Sequence, residues 1–484
     1  MLRNERLREM DEKAKKFSSS IEHDLHIFYY DILVDIAHVL NLLKSNYLSK
    51  KEALEIIEAL NTIAKTGYKK WDFEDIHEAI EAEITKVTEA GKKIQTGRSR
   101  NDEVATCLRM FARDHLLEIA EKIVALQSTI LEIAEKNDLI MPGFTHLQFA
   151  QPTRVSHHLV MFHDLFERDF ERVLEAYRRV NKCPLGASAF AGTSYNLDRE
   201  FVAKILGFDG LLENSEDAVA SRDFLIESIY VCTSIMLNVS RIAEEIVIFA
   251  ALGLIELPDE FASTSSIMPQ KKNPDIAELL RAKTGKLIGN LTSAATIYKA
   301  TPFSYNRDFQ EMNSILYESM KVTIESLEVF LRMLSKLKFN AELMRKKSVE
   351  GFAVATELAD MLVRDFGIPF RVAHRIVGRI ASKNATPSAQ EIESIAKEFG
   401  YEIRIPEERF NEAMDVEKAV ERRQTIGGTR GSEVKRMLDF RKEKLNGKRR
   451  KIKKMRRKIE IALEFMGKEV KKIGADFYAY WKKD

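Results

Sequence analysis

The ten prolines of this 484-residue chain fall at positions 142, 152, 184, 258, 269, 274, 302, 369, 387 and 406. No other feature restricts the fold as much. A proline inside a helix removes a hydrogen bond and collides with the preceding turn, so long helices are confined to the stretches between prolines. Those stretches carry helical periodicity. Leu108, Phe111, Ala112, Leu116, Ile119, Ile123, Leu126, Ile130 and Ile133 recur at 3/4 spacing over about seven turns, more than a typical globular helix contains. A second run covers about 217–252 through Phe224, Ile229, Cys232, Met236, Val239, Ile242 and Ile246. Two more helices are predicted over 274–299 and 310–338. Sustained β alternation is absent, so the chain reads as all-α. Long helices in succession suggest a central bundle over 106–348. Helical parts are expected before it (1–105) and after it (349–438), with an amphipathic helical extension over 439–484.

Composition narrows the class. With 45% hydrophobic residues the chain can bury a large core. Cys107, Cys183 and Cys232 are too few and too scattered for a disulfide framework, and read as thiols in a reducing compartment. The charged N-terminal segment has no apolar stretch of the signal-peptide kind. The longest apolar run, Ile246 to Ile255, is far short of the roughly 18 residues a membrane span needs. A soluble, cytoplasmic protein is expected.

Charge is unevenly placed. Residues 435–484 hold 19 Lys and Arg against 7 Asp and Glu, a net of +12. The whole chain is +2, so the first 434 residues carry −10. Within the extension, Ile459, Leu463, Met466, Val470, Ile473, Phe477 and Tyr480 fall on one a/d seam, weakened by Gly467 and Gly474. Such a helix either packs on the body of the protein or offers its cations to an acidic partner such as nucleic acid.

The unusual polar sequences lie in loops between the long helices. In Ser263–Asp275, STSSIMPQKKNPD, hydroxyls run up to two lysines. Asn273-Pro274-Asp275 suits a helix start, with Asn as N-cap. Ser265 can act as a base only if its alkoxide is stabilised, and Lys271 lies across the turn that Pro269 forces. By composition alone the stretch is also a plain solvated loop. TGRSRND places Arg98, Arg100 and Asn101 together, a set suited to carboxylates at a helix start, where Asn101 or Asp102 is the expected cap. His146, in a proline-bounded loop with Thr145 and Gln148, is placed for hydrogen bonding or acid–base work as much as for structure. No HExxH, CxxC, GxGxxG or Walker motif occurs, so no metal or nucleotide cofactor is expected.

The segment SSIMPQKKNPD resembles the signature of the fumarase/aspartase superfamily, and its QKKNPD form is similar to that of the argininosuccinate lyase family. TGRSRNDEV, PGFTHLQFAQP, PLGASAFAGT, SRDF, YNRDFQE and GGTRGS agree in order and spacing, over roughly residues 17–438. The resemblance implies a three-domain helical fold whose central helices form a twenty-helix tetramer core. Each active site would take loops from three subunits. It implies a cofactor-free β-elimination of argininosuccinate to arginine and fumarate. By position, Ser265 would be the base, with Lys271 and Asn273 stabilising the intermediate. His146 would pair with Glu278. Ser20, Asp24, Asp75, Arg100, Asn101, Thr145, Arg222, Tyr305 and Gln310 would hold the substrate. A sister lyase acting on adenylosuccinate, or a non-catalytic relative like the lens crystallins, would share much of this pattern. Thr264 replaces the family's usual glycine and should stiffen the loop. Asn313 stands where many relatives have lysine.

Overall fold

The computed structural model of the chain describes residues 9–382 and 387–477. Nearly all of its regular structure is helical. In chain order the helices that matter for the site are α1 (Phe28–Lys44), α2 (Lys50–Thr66), α3 (Ile76–Val87), α4 (Arg100–Lys136), α5 (Val155–Val180), α6 (Asp223–Ala251), α7 (Asp275–Tyr298), α8 (Asp308–Leu334) and α9 (Gly431–Ile473). The long apolar runs between prolines are α4, α6, α7 and α8. Helix α4 has 37 residues, about 55 Å at 1.5 Å per residue. Its apolar stripe is buried from Ala105 to Ala134 against its neighbours in the bundle. Helix α6 starts at Asp223 rather than near 217, because Ser215–Ala220 forms a separate short helix capped by Asn214.

Short two-stranded ribbons depart from all-α, and two of them bear on the site. Met141–Thr153, expected as a loop, is a β-hairpin: β1 (Ile140–Thr145) pairs antiparallel with β2 (Gln148–Arg154), and Pro142 faces Pro152. Prolines are tolerated in a two-stranded ribbon because each strand has a free edge. At Gly143 the strands approach so closely that a Cβ would lie 2.3 Å from the Gln151 carbonyl oxygen. A second small ribbon pairs β3 (Ser263–Thr264) with β4 (Lys272–Asn273).

Residues 358–413 build an apolar cluster of their own, around Leu358, Leu362, Ile376 and Ile392. Helix α9 does not. Its 43 residues place Leu445, Ile452, Ile459, Leu463, Met466, Val470 and Ile473 in the main core with α1, α2, α4 and α5. Its cations meet acids of the body: Arg441 on Asp164 (2.6 Å), Lys442 on Glu135 (2.7 Å), Arg456 on Glu121 (2.8 Å), with Lys448 on Glu167 and Lys458 on Asp209. Five cations of the basic extension are thus paired with acids of the body. The seam ends sooner than expected. Gly474, at φ 100°, closes the helix, and Phe477 folds back onto Gly467, where a Cβ would meet its ring at 2.6 Å. Tyr480 lies outside the described residues.

Candidate active site

The start of α4 is held by a dense set of hydrogen bonds. Ser99, not Asn101 or Asp102, is the N-cap, and Asp102 completes a capping box by accepting from the Ser99 amide at 3.0 Å. The other Asp102 oxygen accepts from the amides of Gly186 and Ser188, both at 2.8 Å. Burial pushes the Asp102 carboxyl up to about 7 against these stabilising bonds. Asn101 donates to the Ala189 carbonyl at 3.0 Å. The PLGASAF segment is therefore the latch that holds TGRSRND in place.

The two arginines of that loop separate. Arg98 turns inward, 7% exposed, onto Asp35 (2.5 Å) and Glu103 (3.1 Å), so it is not an open anion site. Arg100 stays at the surface of a cavity and donates to Asp75 at 2.8 Å. Asp75 also caps α3, accepting from the Glu78 amide at 2.7 Å. Asp24, in the short turn before α1, accepts from the Ser20 hydroxyl at 2.7 Å and from the Ile76 amide at 3.3 Å. Burial dominates its titration and raises it to about 6.

The cavity has a volume of about 190 Å³. Ser20, Asp24, Asp75, Arg100, Asn101, Tyr305 and Gln310 all line it. The structure adds Glu74, His77, Val104, Arg307 and Asn313 to the wall. Gln310 and Arg307 both donate to the Ser18 carbonyl, at 3.0 and 2.8 Å, tying the YNRDFQE loop to the chain's first segment. Asn313 is 6% exposed with an unpartnered side-chain oxygen. A buried amide, not a cation, therefore forms this part of the wall.

Arg222 is elsewhere. It is 1% exposed, donates to the Val219 and Ser221 carbonyls at 3.0 and 2.8 Å, and lies 5.0 Å over the Phe309 ring. It does not line the cavity, and supports the helix that carries Gln310. Thr145, His146, Ser265, Lys271, Asn273 and Glu278 are also not in the cavity wall. His146 and Leu147 form the two-residue turn of the hairpin at φ 54° and 57°, a type normally built from Asn-Gly. Two non-glycine residues held left-handed at an exposed tip are a strained arrangement of the kind found at functional sites. Glu278 is exposed in the first turn of α7.

The Ser265 loop is closed by the β3–β4 ribbon. Ser265 Oγ accepts from the amides of Ile267 (3.3 Å) and Met268 (3.0 Å). Two fixed N–H groups on one hydroxyl oxygen are the arrangement that lowers the cost of an alkoxide. Lys272 is committed to Asp259 and the Leu257 carbonyl, both at 2.5 Å. Lys271 is exposed and, among the described residues, forms no ion pair, so it is the lysine left for an external anion. Thr264 sits in the extended strand β3, where a branched side chain is at home. Asn273 is in β4 and caps nothing; α7 begins behind Pro274.

Asp31, His77 and Glu103 bring ligand atoms within 4.8 Å of one another, but Arg98 already supplies a cation to Glu103. A larger cavity of about 900 Å³ lies between 200–213 and α9, where Phe208, Ile461 and Phe465 are ringed by Glu200, Lys204, Glu213, Lys458, Glu464 and Lys468; none of the candidate site residues lines it. No helix is long and apolar enough to cross a membrane among the described residues.

Comparison with known proteins bears on the family and the fold. A family model described as Lyase matches residues 5–289, and one described as Argininosuccinate lyase C-terminal matches 352–421. The chain is 60% identical to an argininosuccinate lyase of Archaeoglobus fulgidus, covering 98% of this chain and 99% of that one. It is 44% identical to one from Methanosarcina mazei, over 94% and 95%. Among solved structures, an EDDS lyase variant with bound fumarate superposes with a TM-score of 0.84 at 28% identity, covering 93% and 92%. A class II fumarase from Schistosoma mansoni, at 16% identity and a TM-score of 0.70 over 81% and 90%, shares the fold.

Proposed function

The chain belongs to the argininosuccinate lyase family of the fumarase/aspartase superfamily, and from that premise we propose how its residues divide the reaction. It is a carbon–nitrogen lyase that splits argininosuccinate into arginine and fumarate.

Proton removal next to a carboxylate builds a doubly charged aci-carboxylate, which demands preorganised donors and cations. Ser265 is the base, its oxygen already accepting from two amides. Lys271 and Asn273 stabilise the intermediate. Ser20, Asp24, Asp75, Arg100, Asn101, Tyr305 and Gln310 hold the substrate, with Thr145 from the hairpin. Arg222 acts through Phe309 and its helix. His146 and Glu278 meet across an interface and orient the substrate.

The observation that carries this reading is the division of the site. Seven of the named groups share one cavity; Arg222 is buried, and the others stand outside the cavity on the hairpin tip, the Ser265 loop and the first turn of α7. At about 190 Å³ the cavity is below the roughly 300–1,000 Å³ of a usual ligand pocket. We place the missing walls on neighbouring subunits of a homotetramer with a twenty-helix core. Exposed Tyr230 and Leu237 on α6, and Leu279 and Ile288 on α7, need such a surface. Three unpaired buried thiols fit a cytoplasmic enzyme.

The test is fumarate release followed by ultraviolet absorbance, with argininosuccinate and adenylosuccinate offered in turn. Turnover of argininosuccinate alone is expected. Fumarate from neither would contradict an active enzyme.

A further inference from the structure

Between Glu443 and Glu460, helix α9 holds ten lysines and arginines and no acid. Four of these cations are matched. Lys448 pairs with Glu167, Arg456 with Glu121 and Lys458 with Asp209, all on the body. Arg457 pairs with Glu460 and Glu464 of its own helix. The other six, Lys444, Arg449, Arg450, Lys451, Lys453 and Lys454, are exposed and form no ion pair among the described residues. Lys444 lies 4.7 Å over the Phe440 ring and Arg449 donates to the Ser128 hydroxyl at 2.9 Å, contacts that leave both charges uncompensated.

The helix sets these cations beside one another. Arg449 and Lys453 are four residues apart, as are Arg450 and Lys454, so like charges face each other along the surface and oppose the helix. Elsewhere α9 avoids this, with Glu433 beside Arg436 and Glu469 beside Lys472. The cations cannot swing apart as they could on a loose tail. Leu445, Ile452 and Ile459, interleaved with them, are buried in the main core and fix the rotation of the helix. From Lys444 to Lys454 the row spans about 15 Å of helix axis. Of the acids lining the grooves beside it, Glu167, Glu121 and Glu460 are already paired, which leaves Glu171 and Glu175 near Lys444 and Lys451. Arg450, Lys453 and Lys454 are the centre of the uncompensated charge.

We infer that this face of α9 binds the phosphate backbone of a nucleic-acid duplex without reading its sequence. A fixed row of exposed cations has no cavity to enclose a small anion, but an extended polyanion gains by releasing its condensed counterions. The stretch between Glu443 and Glu460 contains no aromatic residue, so nothing there stacks on the bases of a single strand. Its apolar residues are spent on the core, so it has no apolar face to lay into a membrane surface. The row is separate from the cavity that holds Asp24, Asp75 and Arg100, and none of its residues lines that cavity.

The experiment measures fluorescence anisotropy of a short labelled duplex, one of DNA and one of RNA, with the full-length protein between about 50 and 200 mM salt. The wild type is compared with a triple variant, Arg450→Gln, Lys453→Gln and Lys454→Gln. The expected result is wild-type binding whose logarithm falls against log salt with a slope of about −3 or steeper, at roughly −0.9 per phosphate contact on DNA. The variant should bind at least about 10-fold more weakly at the lowest salt, with a slope flatter by about 2.7. Its fumarate release should match the wild type, which shows that it is folded. The tighter of the two duplexes identifies the nucleic acid. No binding of either duplex at about 50 mM salt, or equal binding by the variant, would overturn the inference. So would phosphatidylserine vesicles bound as tightly as the duplexes, since the surface would then accept any anionic layer. A variant whose assembly mass by light scattering differs from wild type would mark the face as a contact between copies of this chain, and would overturn it too.

Discussion

Ser265, the base we propose, is a weak one that its neighbours would have to prepare. A serine hydroxyl is far from ionising in water, and no acid–base partner sits beside it among the described residues of this chain. What the loop offers is two amide donors on Oγ and a lysine, Lys271, left unpaired while Lys272 is tied to Asp259. Ser265→Ala should lower kcat by about 10³-fold or more with little change in substrate binding, measured by turnover and by calorimetric titration. A second residue controls pH tolerance. His38 is buried with its Nε2 at 3.0 Å from the Thr96 carbonyl, directly before the Arg98–Asn101 loop. Burial holds this imidazole down at about 3, from an ordinary 6.5. Below pH 6.5 the unfolded chain takes up a proton that the folded chain refuses. His38 therefore contributes stability that is present above 6.5 and lost as pH falls toward its folded value. Between pH 7.5 and pH 5 the urea midpoint should fall for the wild type and change less for His38→Gln. At this scale much was readable beforehand. Ser20, Asp24, Asp75, Arg100, Asn101, Tyr305 and Gln310 converge because each motif keeps its order and spacing. His77 gave no signal, since its partners Asp31 and Glu103 are remote in sequence and only the fold makes them neighbours.

Two small ribbons carry the exposed groups. The β1–β2 hairpin was hidden in the sequence by its prolines, which speak against a strand unless both edges are free. Its turn lacks the glycine that usually marks such a turn, because His146 and Leu147 take the left-handed positions themselves. Gly143 is the position where the ribbon has no slack. Gly143→Ala should cost about 1–3 kcal/mol of stability, read as a lower melting temperature, and should reduce activity by displacing His146. The β3–β4 ribbon accounts for Thr264: the residue that should stiffen the loop lies in an extended strand that suits it. The helices were far easier to place, since 3/4 spacing over many turns leaves few alternatives. Their ends were not. Asn273 looked like a cap and is a strand residue, while Ser99 took the cap expected of Asn101 or Asp102, because the capping box with Asp102 satisfies two amides at once.

Across the whole molecule, the charge asymmetry of the sequence becomes an internal interface. Helix α9 buries an apolar seam in the main core and sets several of its cations on body acids. Met466, fully buried, is the sensitive point: Met466→Ala should cost about 2–5 kcal/mol, measured by chemical unfolding. Removing everything after Leu438 should leave the partners of Leu445, Ile452 and Leu463 uncovered and give an aggregating protein, visible by size-exclusion chromatography. A small polar cavity and the tips outside it that we propose to be catalytic can perform a single reaction if each site is shared between subunits. Mixing Ser265→Ala and Asn101→Ala proteins, each inactive alone, after reversible dissociation tests this most directly. Mixed assemblies should regain a measurable fraction of wild-type fumarate release, because some sites then combine an intact Ser265 with an intact Asn101. If subunits exchange and no activity returns, the site is not shared in this way.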